Sequence, residues 1–178
     1  SGQSNNVSPL ITTEYKVTLT DLAGCSAEDS LMLYVSNPVT TITPDDTVCL
    51  GSSSTITVSP SGGFGPYNYN WNTAGSGNTV TVSPVVNTVY SVTVSDILGC
   101  STTNNASVFV SNPSADAGMD DSLCIGMMTT FTGSATGGFG PYSYSWNGTP
   151  GQNYQVTATT SMAMVLSVSD HLGCADTD

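Results

Sequence analysis

The chain has 178 residues, a formal net charge of −12 and a single basic residue, Lys16, with no Arg. Nucleic acid and anionic membrane surfaces are excluded as partners, because neutralising phosphates takes several Lys or Arg on one face. No apolar run approaches the ~20 residues that span a bilayer, so no membrane insertion is expected.

Along the chain, short segments alternate apolar and polar residues with the period of two that marks half-buried strands. The first landmark is Asp21-Leu22-Ala23-Gly24-Cys25, a turn signal in which the Asp side chain is expected to fold back on the backbone before the Gly. Strands are expected over residues 39–43, 55–59, 67–72, 79–83, 90–95 and 107–111, with Asx, Gly and Pro clusters in every gap. Ile56 and Val58 point inward on the second of these, and Tyr67, Tyr69 and Trp71 on the third. Trp71 therefore reads as core packing. The loop Gly62-Gly63-Phe64-Gly65-Pro66-Tyr67 precedes that strand, and no Lys follows it to make a phosphate cradle.

The same landmarks return at an offset of 75 residues, which identifies a repeat before any fold is considered. Ser36-Asn37-Pro38 recurs as Ser111-Asn112-Pro113, Cys49 as Cys124, Trp71 as Trp146, and the Phe64 loop as the loop around Phe139. The Asp-x-x-Gly-Cys motif stands three times, ending at Cys25, Cys100 and Cys174. One residue is lost between Trp146 and Tyr154, where a loop tolerates deletion. The chain thus divides into the back half of a repeat (1–37), a complete repeat (38–112) and a repeat lacking its last strand (113–178). The strands missing at either end are expected from neighbouring chain or a neighbouring molecule, and any export signal upstream of residue 1. Short strands, no helical pattern and a Trp between two Cys predict an all-β fold of tandem immunoglobulin-like antiparallel β-sandwich domains.

Five cysteines on a polar, repeat-bearing chain point to an oxidising compartment and disulfides. Two connectivities are open, with free or metal-bound thiols as the remaining alternative. Pairing within repeats joins Cys49 to Cys100 and Cys124 to Cys174, each closing a loop of about 50 residues. Pairing between repeats joins Cys49 to Cys174 and staples the array lengthwise; it answers the objection that the two cysteines of one sandwich fall at opposite ends. Cys25 has no upstream partner in either scheme.

Asp45, Asp46, Asp116, Asp120 and Asp121 cluster before the first cysteines near repeat boundaries, which makes calcium the candidate cation and solvated turns the alternative. No other cofactor is expected. Phe64 and Phe139 sit at loop tips, suited to an interdomain contact or to an adhesive knob. No catalytic residue is assigned: the one histidine, His171, is replaced by Ile97 and Ala23 in the sister motifs, so a nucleophile and base pair would occur at most once.

The combination of Cys-x-Gly, Gly-Gly-Phe-Gly-Pro-Tyr-x-Tyr-x-Trp and Tyr-x-Val-x-Val-x-Asp-x-x-Gly-Cys resembles the SprB-type and related PKD-like, Ig-like repeats of cell-surface adhesins in gliding bacteria. The third repeat departs from the pattern with Met164 in place of Tyr15 and Tyr90, which should loosen that corner. The resemblance implies export to the cell surface and a structural or adhesive role as filament or stalk, in adhesion or gliding. Neighbouring repeats or subunits, and surface glycans, are the implied partners. Asp-(Ser/Thr)-apolar tripeptides resembling the O-glycosylation signal of such bacteria mark Thr47, Ser122 and Ser30. The alternative function is a carbohydrate-binding or spacer module of a secreted hydrolase, which a row of outward aromatics would favour.

Overall fold

The computed structural model describes Ser4–Asp178; these residues form strands, turns and loops, with no helix long and apolar enough to cross a membrane. Strands β1 (Thr13–Thr20) and β2 (Ser26–Leu33) make an antiparallel hairpin in register from Thr13 opposite Leu33 to Thr20 opposite Ser26. Then come β3 (Val39–Ile42), β4 (Asp46–Cys49), β5 (Ser54–Ser61), β6 (Asn68–Trp71), β7 (Thr79–Val82), β8 (Thr88–Ser95) and β9 (Ser101–Ser111). They form two sheets, ordered β3-β5-β7 and β4-β9-β8-β6. This is the immunoglobulin-like arrangement, with the first strand divided between the sheets. The third repeat supplies β10 (Ser114–Asp116), β11 (Met128–Thr132), β12 (Ser134–Thr136), β13 (Ser143–Trp146), β14 (Thr149–Pro150), β15 (Asn153–Thr157), β16 (Leu166–Ser169) and β17 (Ala175–Thr177). Here the order β14-β13-β16-β17 makes one sheet, beside the pairs β10-β12 and β11-β15.

The expected antiparallel sandwich is present, and one of its pairings is parallel. β3 runs antiparallel to β5, with Ile42 opposite Val58, but β4 runs parallel to β9, with Asp46 opposite Val108 and Cys49 opposite Ser111. Pro44 lies between them, and without an N–H it cannot continue the β3 ladder, so the chain leaves one sheet and joins the other. β9 also starts earlier than alternation suggests, because Ser101 to Asn105 are all polar and carry no apolar signal.

Contact density divides the chain into two compact units: the chain up to Thr43 with Ile56–Val80 and Tyr90–Ala106, and Pro44–Thr55 with Thr81–Val89 and Ser107–Asp178. The first buries Ile56, Val58, Trp71, Val80, Val92 and Val94. Its Trp71 is a core residue whose Nε1–H donates to the Gly77 carbonyl at 3.0 Å. In the second, Trp146, Leu166 and Val168 are buried, flanked by Phe131, Tyr144 and Tyr154. Trp146 donates in the same way, to the Gln152 carbonyl at 3.1 Å.

The two cores solve one packing problem differently. Val58 and Val92 correspond to Gly133 and Leu166, and a Cβ on Gly133 would come within 2.8 Å of both Leu166 methyl carbons. The larger Leu166 fills the space that a side chain at 133 would take, and the strand that is continuous as β5 breaks there into β11 and β12. β16 has four residues where β8 has eight, and Met164, at the position of Tyr90, lies ahead of it outside any strand.

The β1–β2 hairpin has the same sequence pattern as β8–β9, but among the described residues it lacks the cover that β8–β9 has. Val17 and Leu19 are 63% and 74% exposed, whereas their counterparts Val92 and Val94 are fully buried.

Gly133→Val alone is expected to destabilise the fold by about 1–3 kcal/mol through overpacking. Adding Leu166→Val should recover most of that loss, giving a coupling energy in urea denaturation that additive behaviour of the two changes would contradict.

Candidate functional site: the carboxylate and cystine at the repeat boundary

Each Asp-x-x-Gly-Cys motif folds into the same loop. The aspartate Oδ1 accepts two backbone N–H groups: Ala23 and Cys25 on Asp21, Leu98 and Cys100 on Asp96, Leu172 and Cys174 on Asp170, all at 2.9–3.0 Å. The Gly N–H closes the turn on the aspartate carbonyl in all three, at 3.0–3.1 Å. The Asx turns expected from sequence are therefore present.

The second carboxylate oxygen does what the sequence reading missed. Oδ2 of Asp96 accepts the Ser36 hydroxyl and the Phe64 N–H, the latter at 3.2 Å. Oδ2 of Asp170 accepts the Ser111 hydroxyl and the Phe139 N–H at 3.1 Å. Asp96 and Asp170 thus each gather their own loop, the Phe loop of their own repeat, and a serine of the repeat before, Ser36 beyond the end of β2 or Ser111 at the end of β9. Asp96, Ser111 and Asp170 are buried. The recurrence of Ser36-Asn37-Pro38 was the available signal, but it does not say which group the serine meets.

The glycines of the Phe loop make room for this crossing. A Cβ on Gly63 would lie 3.1 Å from Asp96 Oδ2 and 3.2 Å from Pro38, and one on Gly62 would lie 2.6 Å from the Asn37 carbonyl. Phe64 itself closes the site: its carbonyl accepts the Ile97 N–H at 3.0 Å, and its ring meets Tyr34 edge-on with centroids 6.1 Å apart. In the third repeat His171 replaces Ile97, and its Nδ1–H donates to the Phe139 carbonyl at 2.7 Å. The histidine is thereby a loop tether. Phe139 remains partly exposed.

The electrostatics follow from these bonds. The Ser36 hydroxyl is the main influence holding Asp96 below its ordinary pKa of 3.8; burial opposes it, and the Phe64, Cys100 and Leu98 amides add to it. For Asp170 burial is the largest single influence and acts upward, but Ser111 and the Phe139, Cys174 and Leu172 amides together outweigh it and leave the pKa lowered. Multiple donors to a carboxylate stabilise its charged form.

The lock also positions sulfur. Ser111 is paired in register with Cys49 across β9 and β4, and Ser111 is bonded to Asp170, whose loop presents Cys174. Cys49 and Cys174 are joined in a disulfide with their Cα atoms 5.3 Å apart. Of the two connectivities left open by the sequence, this is the one between repeats; Cys49–Cys100 and Cys124–Cys174 are not made. The physical reason is strand length. Cys100 precedes the first residue of β9 and Cys49 faces its last, so eleven residues at ~3.3 Å put them roughly 35 Å apart. A disulfide spans only ~4.4–6.8 Å between Cα atoms. Cys25, Cys100 and Cys124 carry free thiols.

The other candidates occupy local roles. Asp45 accepts the Ser107 N–H at 2.7 Å; Asp46 and Asp121 each accept the next residue's N–H and a hydroxyl, from Ser54 and Thr129; Asp116 takes the Gly118 N–H and the Ser134 hydroxyl. Asp120 is exposed. Among the described residues no three His, Cys, Asp or Glu side chains come together to hold a metal. Ser30, Thr47 and Ser122 share one geometry, each giving its N–H to the preceding aspartate at 2.7–2.8 Å. The exposed positions on β6 are Asn68 and Asn70, not aromatics.

Residues 41–76 match the model of the SprB repeat, where the sequence resemblance placed the complete repeat's first half. Among solved structures the chain is similar to the N-terminal eight Ig domains of Down Syndrome Cell Adhesion Molecule isoform 1.30.30, at 16% identity and a TM-score of 0.33. That alignment covers 93% of this chain and 26% of the other, so the chain spans about a quarter of its length. No curated protein matches the chain.

Because both aspartates have lowered pKa values, their contribution to stability is complete above 3.8 and is lost as pH falls through the folded value. Stability should be level from neutral pH down to about 5 and fall below about pH 4. Ser111→Ala should cost about 1.5–3 kcal/mol at pH 7, the range for a hydrogen bond to a charged group. The gap between variant and parent should narrow below pH 4; equal stabilities at pH 7 would remove the serine from the lock.

Proposed function

We propose that this chain is a tension-carrying section of an extracellular stalk or filament, in which SprB-type, immunoglobulin-like repeats are joined end to end and serve adhesion or surface movement. The observation that carries this reading is the Cys49–Cys174 disulfide, formed between repeats rather than inside one. A bond inside a sandwich stabilises that sandwich alone; a bond between repeats also limits how far they can be pulled apart. The carboxylate lock adds a non-covalent tie at the same boundary. Persistent disulfides fit an oxidising, extracellular setting.

The uncovered β1–β2 hairpin supports the same reading. The β8–β9 hairpin buries the positions that β1–β2 exposes, and it does so in a repeat whose front strands are present. The cover that fits β1–β2 is therefore the front half of another repeat of this kind. Repeats that complete one another this way build long assemblies from nearest-neighbour interfaces.

Force spectroscopy on the chain held at its two ends tests the proposal. Load applied through Val48 and Ala175 bypasses everything between the bonded cysteines, so the fully unfolded chain stays short by the 125-residue separation. At ~3.5 Å per residue this is roughly 440 Å, recovered on reduction. Equal extensions in oxidising and reducing buffer would defeat the proposed mechanical role.

A further inference from the structure

We infer that the Ser111–Asp170 lock is also a gate on the disulfide beside it. The Cys49–Cys174 bond is closed to thiol reductants while the lock is made, and opens to them only when the aspartate loop lifts from the end of β9. The inference concerns the bond itself and goes beyond the load it is proposed to carry.

A thiolate reduces a disulfide by attacking one sulfur while the other departs, so the rate depends on access to the first and on how readily the second leaves as an anion. Both routes are obstructed here. Attack on Cys174 is blocked by burial, since only 3% of that residue is exposed. Cys49 is half-buried and is the more accessible end, but attack there makes Cys174 the departing thiolate. That anion would form in a buried place, on the residue whose N–H is already committed to Asp170 Oδ1 at 2.9 Å. Burial and a neighbouring negative charge both disfavour a thiolate, which makes Cys174 a poor leaving group.

The loop that carries Cys174 is closed on itself by the Asp170 N–H to the Cys174 carbonyl at 2.9 Å and by the Gly173 N–H to the Asp170 carbonyl at 3.1 Å, so it moves as one piece. The other carboxylate oxygen holds that piece down. It accepts the Ser111 hydroxyl and the Phe139 N–H, while His171 donates to the Phe139 carbonyl beside it. Ser111 in turn is fixed at the end of β9 opposite Cys49, with its carbonyl taking the Leu50 N–H at 2.9 Å. Presenting the bond to a reductant therefore means breaking the hydrogen bonds on Oδ2, and reduction proceeds through the fraction of molecules in which the lock is locally open.

The test treats the whole oxidised chain with dithiothreitol in native buffer after its free thiols have been blocked with iodoacetamide. A second alkylating tag then follows the release of Cys49 and Cys174. One dithiothreitol thiolate forms a mixed disulfide with Cys49 and releases Cys174, which takes up a proton; the second closes the dithiothreitol ring and releases Cys49, so two electrons pass to the protein. Ser111→Ala is expected to speed reduction about ten- to a hundredfold, the change in the open fraction when a hydrogen bond to a charged group is lost. Asp170→Asn, which puts an NH₂ donor in place of one acceptor oxygen, is expected to speed it as well. Gly133→Val strains the core of the same unit away from the lock and should leave the rate within about twofold of the parent's, because local opening does not wait on global unfolding. A parental rate in either lock variant overturns the proposal, as does acceleration by Gly133→Val equal to that by Ser111→Ala. The reduced arm of the stretch measurement uses chain reduced and alkylated in urea, so the gate and the mechanical role fail separately.

Discussion

A carboxylate placed where two repeats meet organises most of what is distinctive in this molecule. Asp170 holds two amides of its own loop on one oxygen, and on the other a Phe-loop amide and a serine from the preceding repeat. Burial of an unpaired carboxylate is costly, and it is the strongest influence on Asp170 taken singly. Four donors reverse the outcome. Each donor adds to the stability of the ionised group, so one side chain couples its own loop, the Phe loop and a strand end.

Other features follow from that crossing. The Gly-Gly pair before each Phe exists because the linker carbonyl and the carboxylate pass where a Cβ would be. The serine ends β9 opposite Cys49, which brings the Cys174 loop to the one cysteine it can reach. The covalent bond between repeats is thus a consequence of the polar lock beside it. At Asp96 the same lock exists with Ser36, and the neighbouring Cys100 has the same presentation.

The repeats differ where local packing, not the boundary, sets the requirement. Gly133 with Leu166 replaces Val58 with Val92, keeping the core filled while shifting volume from one strand to the other. Cores tolerate such exchanges when total volume is kept. His171 replaces Ile97 and exchanges an exposed apolar side chain for a second bond to the Phe139 carbonyl. Neither change alters the aspartate loop, because that loop is held by the aspartate carboxylate and backbone groups.

The sequence by itself determined the repeat, the inward strand faces, the two core tryptophans, the Asx turns and the lack of a basic surface, since each of these is written in residue type and short-range period. For the cysteines it left two pairing schemes open, beside free or metal-bound thiols. Only the tertiary structure decided between them, because the choice depends on the length of β9 and on which strand ends fall together. The β4–β9 parallel pairing was hidden by Pro44, and the first half of β9 by its polar run. Ser36 and Ser111 meet aspartates 60 and 59 residues away. Alternation with a period of two reports which face of a strand is buried, and it carries no information about partners so distant in sequence.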